Sequence, residues 1–123
     1  MAGIEIVEAV SRMPTEFRRR GDVSMVALLK ESGYLKDPAQ LSEKVLQRYL
    51  DDHPEVIEAW LMESQDQRTS ECWYLLDPTM QESGGHWIVG FYPGGPRKKY
   101  DNGAQACAAF IKKYVEDLSK NAS

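Results

Sequence analysis

The chain reads as an α+β protein: N-terminal helices, a small antiparallel sheet of two or three strands, and a closing C-terminal helix. Three observations predict this. Apolar residues recur at helical spacing through the first half. Two aromatic and β-branched runs, Cys72-Trp73-Tyr74-Leu75-Leu76 and Trp87-Ile88-Val89-Gly90-Phe91-Tyr92, are separated by the turn residues Asp77-Pro78 and Ser83-Gly84-Gly85. After them, Asp101-Asn102 can cap a helix carrying Ala104, Cys107, Ala108, Ile111, Val115 and Leu118 at spacings of three and four.

Taken in order, Ile4, Ile6, Val7 and Val10 predict a short helix that ends before Pro14. Arg18-Arg19-Arg20 follow, before Gly21. Three consecutive residues on a helix point in three directions, so most of this charge faces solvent or complements a helix dipole. Asp22 is the expected cap of a helix running to Glu31, with Val23, Val26, Ala27, Leu28 and Leu29 as its buried stripe and Gly33 as its stop. Asp37-Pro38-Ala39-Gln40 carries an acidic cap, a proline at the first position and a glutamine at the third. It predicts a helix burying Leu41, Val45, Leu46, Tyr49 and Leu50. That helix stops at Asp51-Asp52-His53, and Pro54 opens the next one, with Val56, Ile57, Trp60 and Leu61 on its inner face. Almost no loop joins the pair, so they must bend sharply.

The segment 63–71 is the most polar of the chain. Within it Arg68 is expected to anchor helix to sheet through its fork of donors, or else to contact a ligand or partner. In the strands, Trp73 and Leu75 face one way and Cys72, Tyr74 and Leu76 the other; Trp87, Val89 and Phe91 oppose Ile88, Gly90 and Tyr92. Both faces are largely apolar, which predicts helices over both. Arg97-Lys98-Lys99-Tyr100 supplies a third strand whose charge discourages edge pairing. Truncating Trp87, read as central to this sheet, is expected to cost about 3–5 kcal/mol.

At 123 residues, with 42% hydrophobic and 28% charged side chains, the chain is expected to form one domain, 1–123. No run of about 18 apolar residues is present, so no membrane span is expected. The start, Met-Ala-Gly-Ile-Glu, has the features of no secretion signal. Cys72 and Cys107 sit among apolar neighbours and read as free thiols of a reducing cytoplasm. A net charge of −4 and an isoelectric point near 5.2 argue against a dedicated nucleic-acid binder and favour a protein partner. The oligomeric state is not encoded in any pattern here.

Catalytic chemistry is sparse. His53 and His86 each fall at an element boundary, and no spacing of histidine and cysteine matches a metal site, so neither metal nor cofactor is expected. Cys107 lies mid-helix among alanines, away from any helix N-terminus that would activate it. No enzyme is expected. Asp51, Asp52, Glu55 and Glu58 form an acidic cluster at a helix start, where capping and the dipole favour acids; the same residues are the expected rim for a basic protein partner. Tyr92-Pro93-Gly94-Gly95-Pro96-Arg97-Lys98-Lys99-Tyr100 is the one loop with functional features. It lacks the strand–loop–helix order and the Gly-Lys-Ser/Thr ending of a nucleotide loop. Tyr92, Arg97, Lys98, Lys99 and Tyr100 are instead candidates for a protein contact, or for a nucleic-acid-associated accessory role together with Arg18-Arg19-Arg20.

Trp73-Tyr74-Leu75-Leu76, then Trp87-Ile88-Val89-Gly90-Phe91-Tyr92, then Tyr100-Asp101 leading to Ala106-Cys107 and Phe110, resembles a theme of small bacterial proteins. Many of these are of unknown function, and some resemble immunity proteins encoded beside bacterial toxins. The resemblance covers roughly the last 50 residues and rests on hydrophobic and cap positions, which carry a fold and transfer no binding residues. The Gly-Gly-Pro segment departs from the theme, where a more acidic link is usual. The resemblance and the absence of a catalytic constellation together imply a non-enzymatic, cytoplasmic protein-binding module, of which an immunity-type toxin inhibitor is one form.

Overall fold

The structure, a computed structural model, describes residues 2–66 and 72–122. Five helices come first: α1 (Ala2–Ser11), α2 (Met13–Arg20), α3 (Met25–Ser32), α4 (Glu43–Asp52) and α5 (Pro54–Asp66). The strands β1 (Cys72–Leu76), β2 (Trp87–Tyr92) and β3 (Arg97–Tyr100) follow, and α6 (Gly103–Ala122) ends the described chain. The sheet is antiparallel in the order β1-β2-β3, with Trp73 opposite Phe91, Leu75 opposite Val89 and Val89 opposite Lys98. The α+β architecture is therefore as the sequence predicts.

Two helix starts differ from expectation. Asp22 does not cap α3. Ser24 does, accepting the Ala27 N–H at 3.0 Å, and the buried stripe shifts to Met25, Leu28, Leu29 and Ser32 while Val23, Val26 and Ala27 are half-buried. Asp37-Pro38-Ala39-Gln40 closes only a single 3₁₀ turn, in which Asp37 makes no cap bond. Leu41 then turns extended and drops into the core, and α4 begins beyond it with Ser42 accepting the Val45 N–H at 3.2 Å. Burying Leu41 outweighs a good local start signal, since a leucine side chain taken fully from water is worth about 1.5–3 kcal/mol. Its carbonyl is not orphaned: Lys112 Nζ donates to it at 2.5 Å. The shifted start leaves Val45 facing solvent instead of the core.

α6 is the element the rest packs around. Ala106 through Ile111 are all buried, because α3, α4 and α5 lie against the helix from one side and the sheet from the other. Small side chains permit that closeness: a Cβ on Gly103 would stand 2.6 Å from the Trp87 ring. Trp60 of α5 is fully buried, edge-on to Phe110 and Tyr114 of α6, and donates its indole N–H to the Ser11 carbonyl at 2.8 Å. Trp87 is only half-buried, so the full cost of losing a core aromatic belongs to Trp60 and a smaller one to Trp87.

Helices cover one sheet face, not both. Leu75 and Val89 join the main core beneath α6, with Trp73 and Trp87 packed against it. The opposite face holds a separate cluster of Tyr74, Leu76 and Ile88, covered by Met80 from the β1–β2 connection. Asp77 folds that connection by accepting the Thr79 and Met80 N–H groups, and three side chains are few enough for a loop to shield. The Tyr74 ring also lies over Gly90, where a Cβ would meet its hydroxyl at 2.5 Å. The outer edge of β1 is closed by α5: Ser64 Oγ accepts the Leu75 N–H at 2.8 Å and donates to its carbonyl at 3.3 Å. The Arg68 anchor expected in this region lies outside the described residues.

Candidate functional site

The acidic cluster forms at the elbow between α4 and α5. His53 is the only residue between them; its N–H bonds back to the Leu50 carbonyl at 3.2 Å, and its carbonyl accepts from Val56 at 3.0 Å. So tight a bend leaves both sides of the elbow in water, and Asp51, Asp52, Glu55 and Glu58 are all exposed. Glu55 is partly neutralised. It lies 3.6 Å from His53 Nδ1 and 3.7 Å from the Arg12 guanidinium. Arg12 is itself held by a 2.8 Å bond to the Tyr49 hydroxyl, and the Tyr49 ring stacks at 4.3 Å on His53. Asp51, Asp52 and Glu58 have no basic group within 4.0 Å among the described residues.

The expected structural account of these acids holds for Glu55, which sits in the first turn of α5. It fails for Asp51 and Asp52. Both occupy the last turn of α4, which has no basic residue, and there the dipole favours cations. The N-terminus of α5 begins two residues after Asp52 and offsets part of that penalty. Neither aspartate accepts a capping hydrogen bond among the described residues. The elbow therefore concentrates negative charge for which the fold itself has little use.

The outer face of α5 continues this surface. Glu55, Glu58 and Met62 fall on one side of the helix, and Met62 is 51% exposed although apolar. Arg18 of α2 reaches across to its sulfur at 3.1 Å. The neighbouring Phe17 is exposed as well. An exposed thioether and phenyl ring in a chain this acidic are the residue types that interfaces favour.

The arginine run serves the scaffold. Arg19 forms a bidentate pair with Glu16 at 2.6 and 3.0 Å, and Arg20 pairs with Glu31 of α3 at 2.8 and 3.1 Å. These hydrogen bonds hold both glutamates below the usual carboxylate range. Glu16, Arg20 and Glu31 also line a cleft of ≈ 430 Å³ between the first three helices, together with Glu5, Glu8 and Arg12. With Arg19 and Arg20 neutralised, the run offers little positive field to a nucleic acid.

The basic segment divides between the two sheet faces. Pairing places Lys98 and Tyr100 on the α6 face and Tyr92, Arg97 and Lys99 on the other. Arg97 donates to the Glu82 carbonyl at 3.2 Å. Lys98 stands 5.2 Å over the Tyr100 ring, and Lys113 of α6 stands 5.3 Å over Trp73. Between these two cation–aromatic pairs lies a cleft of ≈ 310 Å³, floored by Val89 and Ala109 and bounded by Glu43. Burial, then the charge of Glu43, pushes the Tyr100 phenol up. Trp73, Lys113 and Glu43 were not readable as site residues, because they come from three elements and form no motif.

Burial pushes the Cys107 thiol far up, which removes it as a nucleophile. Among the described residues no group of three or more His, Cys, Asp or Glu side chains is placed to hold a metal ion, and no helix is long and apolar enough to cross a membrane. Comparison of the chain with protein-family models, curated proteins and solved structures finds no match.

Proposed function

We propose that this chain is a non-enzymatic, cytoplasmic protein-binding module whose α4–α5 elbow receives a basic protein. One observation carries the reading. Asp51, Asp52 and Glu58 are exposed and have no ion-pair partner among the described residues, and the two aspartates stand at the helix end where their charge is least favoured. An acid that costs the fold stability without capping or pairing is best explained by charge on a partner. Met62 supplies an apolar contact beside the acidic rim, the arrangement in which a desolvated anchor gives affinity and the rim gives rate. Inhibition of a basic bacterial toxin is the form of this function that fits the C-terminal resemblance.

The test is a nuclease-treated pull-down from the native cell, run in parallel with the wild-type chain and an Asp51→Lys/Asp52→Lys/Glu58→Lys variant. The reading predicts one stoichiometric protein partner, captured most readily at low salt and lost with the variant. Retention of the same partner by the variant contradicts it. So does material that disappears on nuclease treatment.

A further inference from the structure

The two edges of the sheet are treated differently. The outer edge of β1 is closed by Ser64 of α5, whereas among the described residues nothing pairs with the outer edge of β3. The register identifies which backbone groups are left. Phe91 N–H donates to the Pro96 carbonyl at 3.0 Å, so the ladder bonds recur at Val89–Lys98 and Trp87–Tyr100. The N–H and C=O groups of Arg97 and Lys99 therefore point outward, away from β2.

We infer that the β3 edge is a docking site for an acidic, extended peptide segment of a protein, which adds to the sheet as a fourth strand. This surface is distinct from the α4–α5 elbow. Backbone bonding to Arg97 and Lys99 supplies the alignment, as in strand addition generally. The side chains supply the choice of occupant. Arg97, Lys98 and Lys99 are all exposed and lie within four residues. A second copy of this chain would set three cations against three, and like charges directly opposite are destabilising, so the edge rejects itself. It rejects apolar strands too, which would leave those cations poorly hydrated. An acidic strand meets Arg97 and Lys99 on one face and Lys98 on the other, where Glu43 also borders the cleft and leaves the first face the more strongly cationic.

The cleft of ≈ 310 Å³ lies on that second face, with Lys98 and Lys113 at its margins and Val89 and Ala109 at its floor. A residue of the incoming strand that points to the α6 side lies beside it. A carboxylate there meets the Lys98 ammonium on β3, and an aliphatic side chain packs on the Lys98 stem and the Tyr100 ring; Val89, on β2, lies one strand further in. Alternation of acidic and aliphatic residues is thus the pattern this edge accepts.

The probe is a short fluorescein-labelled peptide of alternating glutamate and valine, followed by fluorescence anisotropy at low salt. Its controls are the lysine–valine peptide, a glutamate–valine peptide N-methylated at alternate amides, and oligo-dT. The wild-type chain is expected to bind the first saturably and to bind each control at least about tenfold more weakly, a gap of one decade in the dissociation constant. Lys99→Pro deletes an outward N–H without touching the β2–β3 ladder, and is expected to lose about tenfold in affinity while circular dichroism stays unchanged. Should that variant unfold, Lys98→Glu/Lys99→Glu keeps the strand and is expected to exchange preference to the lysine–valine peptide. The inference is overturned by the absence of saturable binding or by equal binding of the N-methylated peptide. Preference for oligo-dT overturns it as well.

Discussion

Cys107 shows how position in the fold decides a residue's chemistry. It sits mid-helix in α6 with no exposure, and burial alone pushes its thiol upward. The unfolded chain releases that proton near the ordinary thiol value of about 8.5, whereas the native state retains it. A raised native pKa stabilises fully below the unfolded value, and the contribution is lost as pH rises beyond it. Stability should therefore fall above about pH 8.5, at up to about 1.4 kcal/mol per pH unit for this one proton. Urea unfolding at pH 7.5, 8.5 and 9.5 checks it: the wild type should weaken along the series, and Cys107→Ala should remove most of that dependence below about pH 10. Above that value Tyr34 and Tyr100, both pushed up chiefly by burial, add a second decline. In the native state at pH 8 an alkylating reagent should modify the half-buried Cys72 and spare Cys107.

At the scale of elements, the caps separate local signals from tertiary ones. Ser42, and not Asp37, starts α4. Ser42→Ala is expected to cost about 1 kcal/mol and Asp37→Ala much less, measured as shifts in the urea midpoint. Equal losses would return the helix start to Asp37. The sheet was legible because Trp73 to Leu76 and Trp87 to Tyr92 are short aromatic runs between turn residues, and nothing distant competes with such a pattern. The cap at Asn102 was legible for the same reason, and it accepts the Gln105 N–H at 2.9 Å. The start of α4 was not. Its local signal at residues 37–40 is good, and the demand that overrides it, the burial of Leu41 beneath α6, comes from the far end of the chain. The cover of the second sheet face was missed in a related way. An apolar face indicates that it is covered, and leaves open whether a helix or the Asp77–Met80 turn does it.

Over the whole molecule, charge is sorted by use. Arg19 pairs with Glu16 within α2, Arg20 pairs with Glu31 and fastens α2 to α3, and Lys112 serves a buried carbonyl. Two groups of exposed charge of opposite sign stand out among the described residues, the acids of the α4–α5 elbow and the cations of the β3 edge. The acids of the elbow were visible in the sequence as a cluster. The structure adds that Asp51 and Asp52 stand at the wrong helix end for capping and have no basic partner among the described residues. The cleft beside β3 was not visible, since Glu43, Trp73, Lys98 and Lys113 meet only after α4, the sheet and α6 have packed. Hydrogen–deuterium exchange of the chain alone and in complex with its captured partner shows whether the elbow is where that partner binds. A basic partner seated on the elbow adds protection across residues 50–62, from the end of α4 through the first two-thirds of α5. Unchanged exchange there, with protection confined to other segments, would contradict that placement.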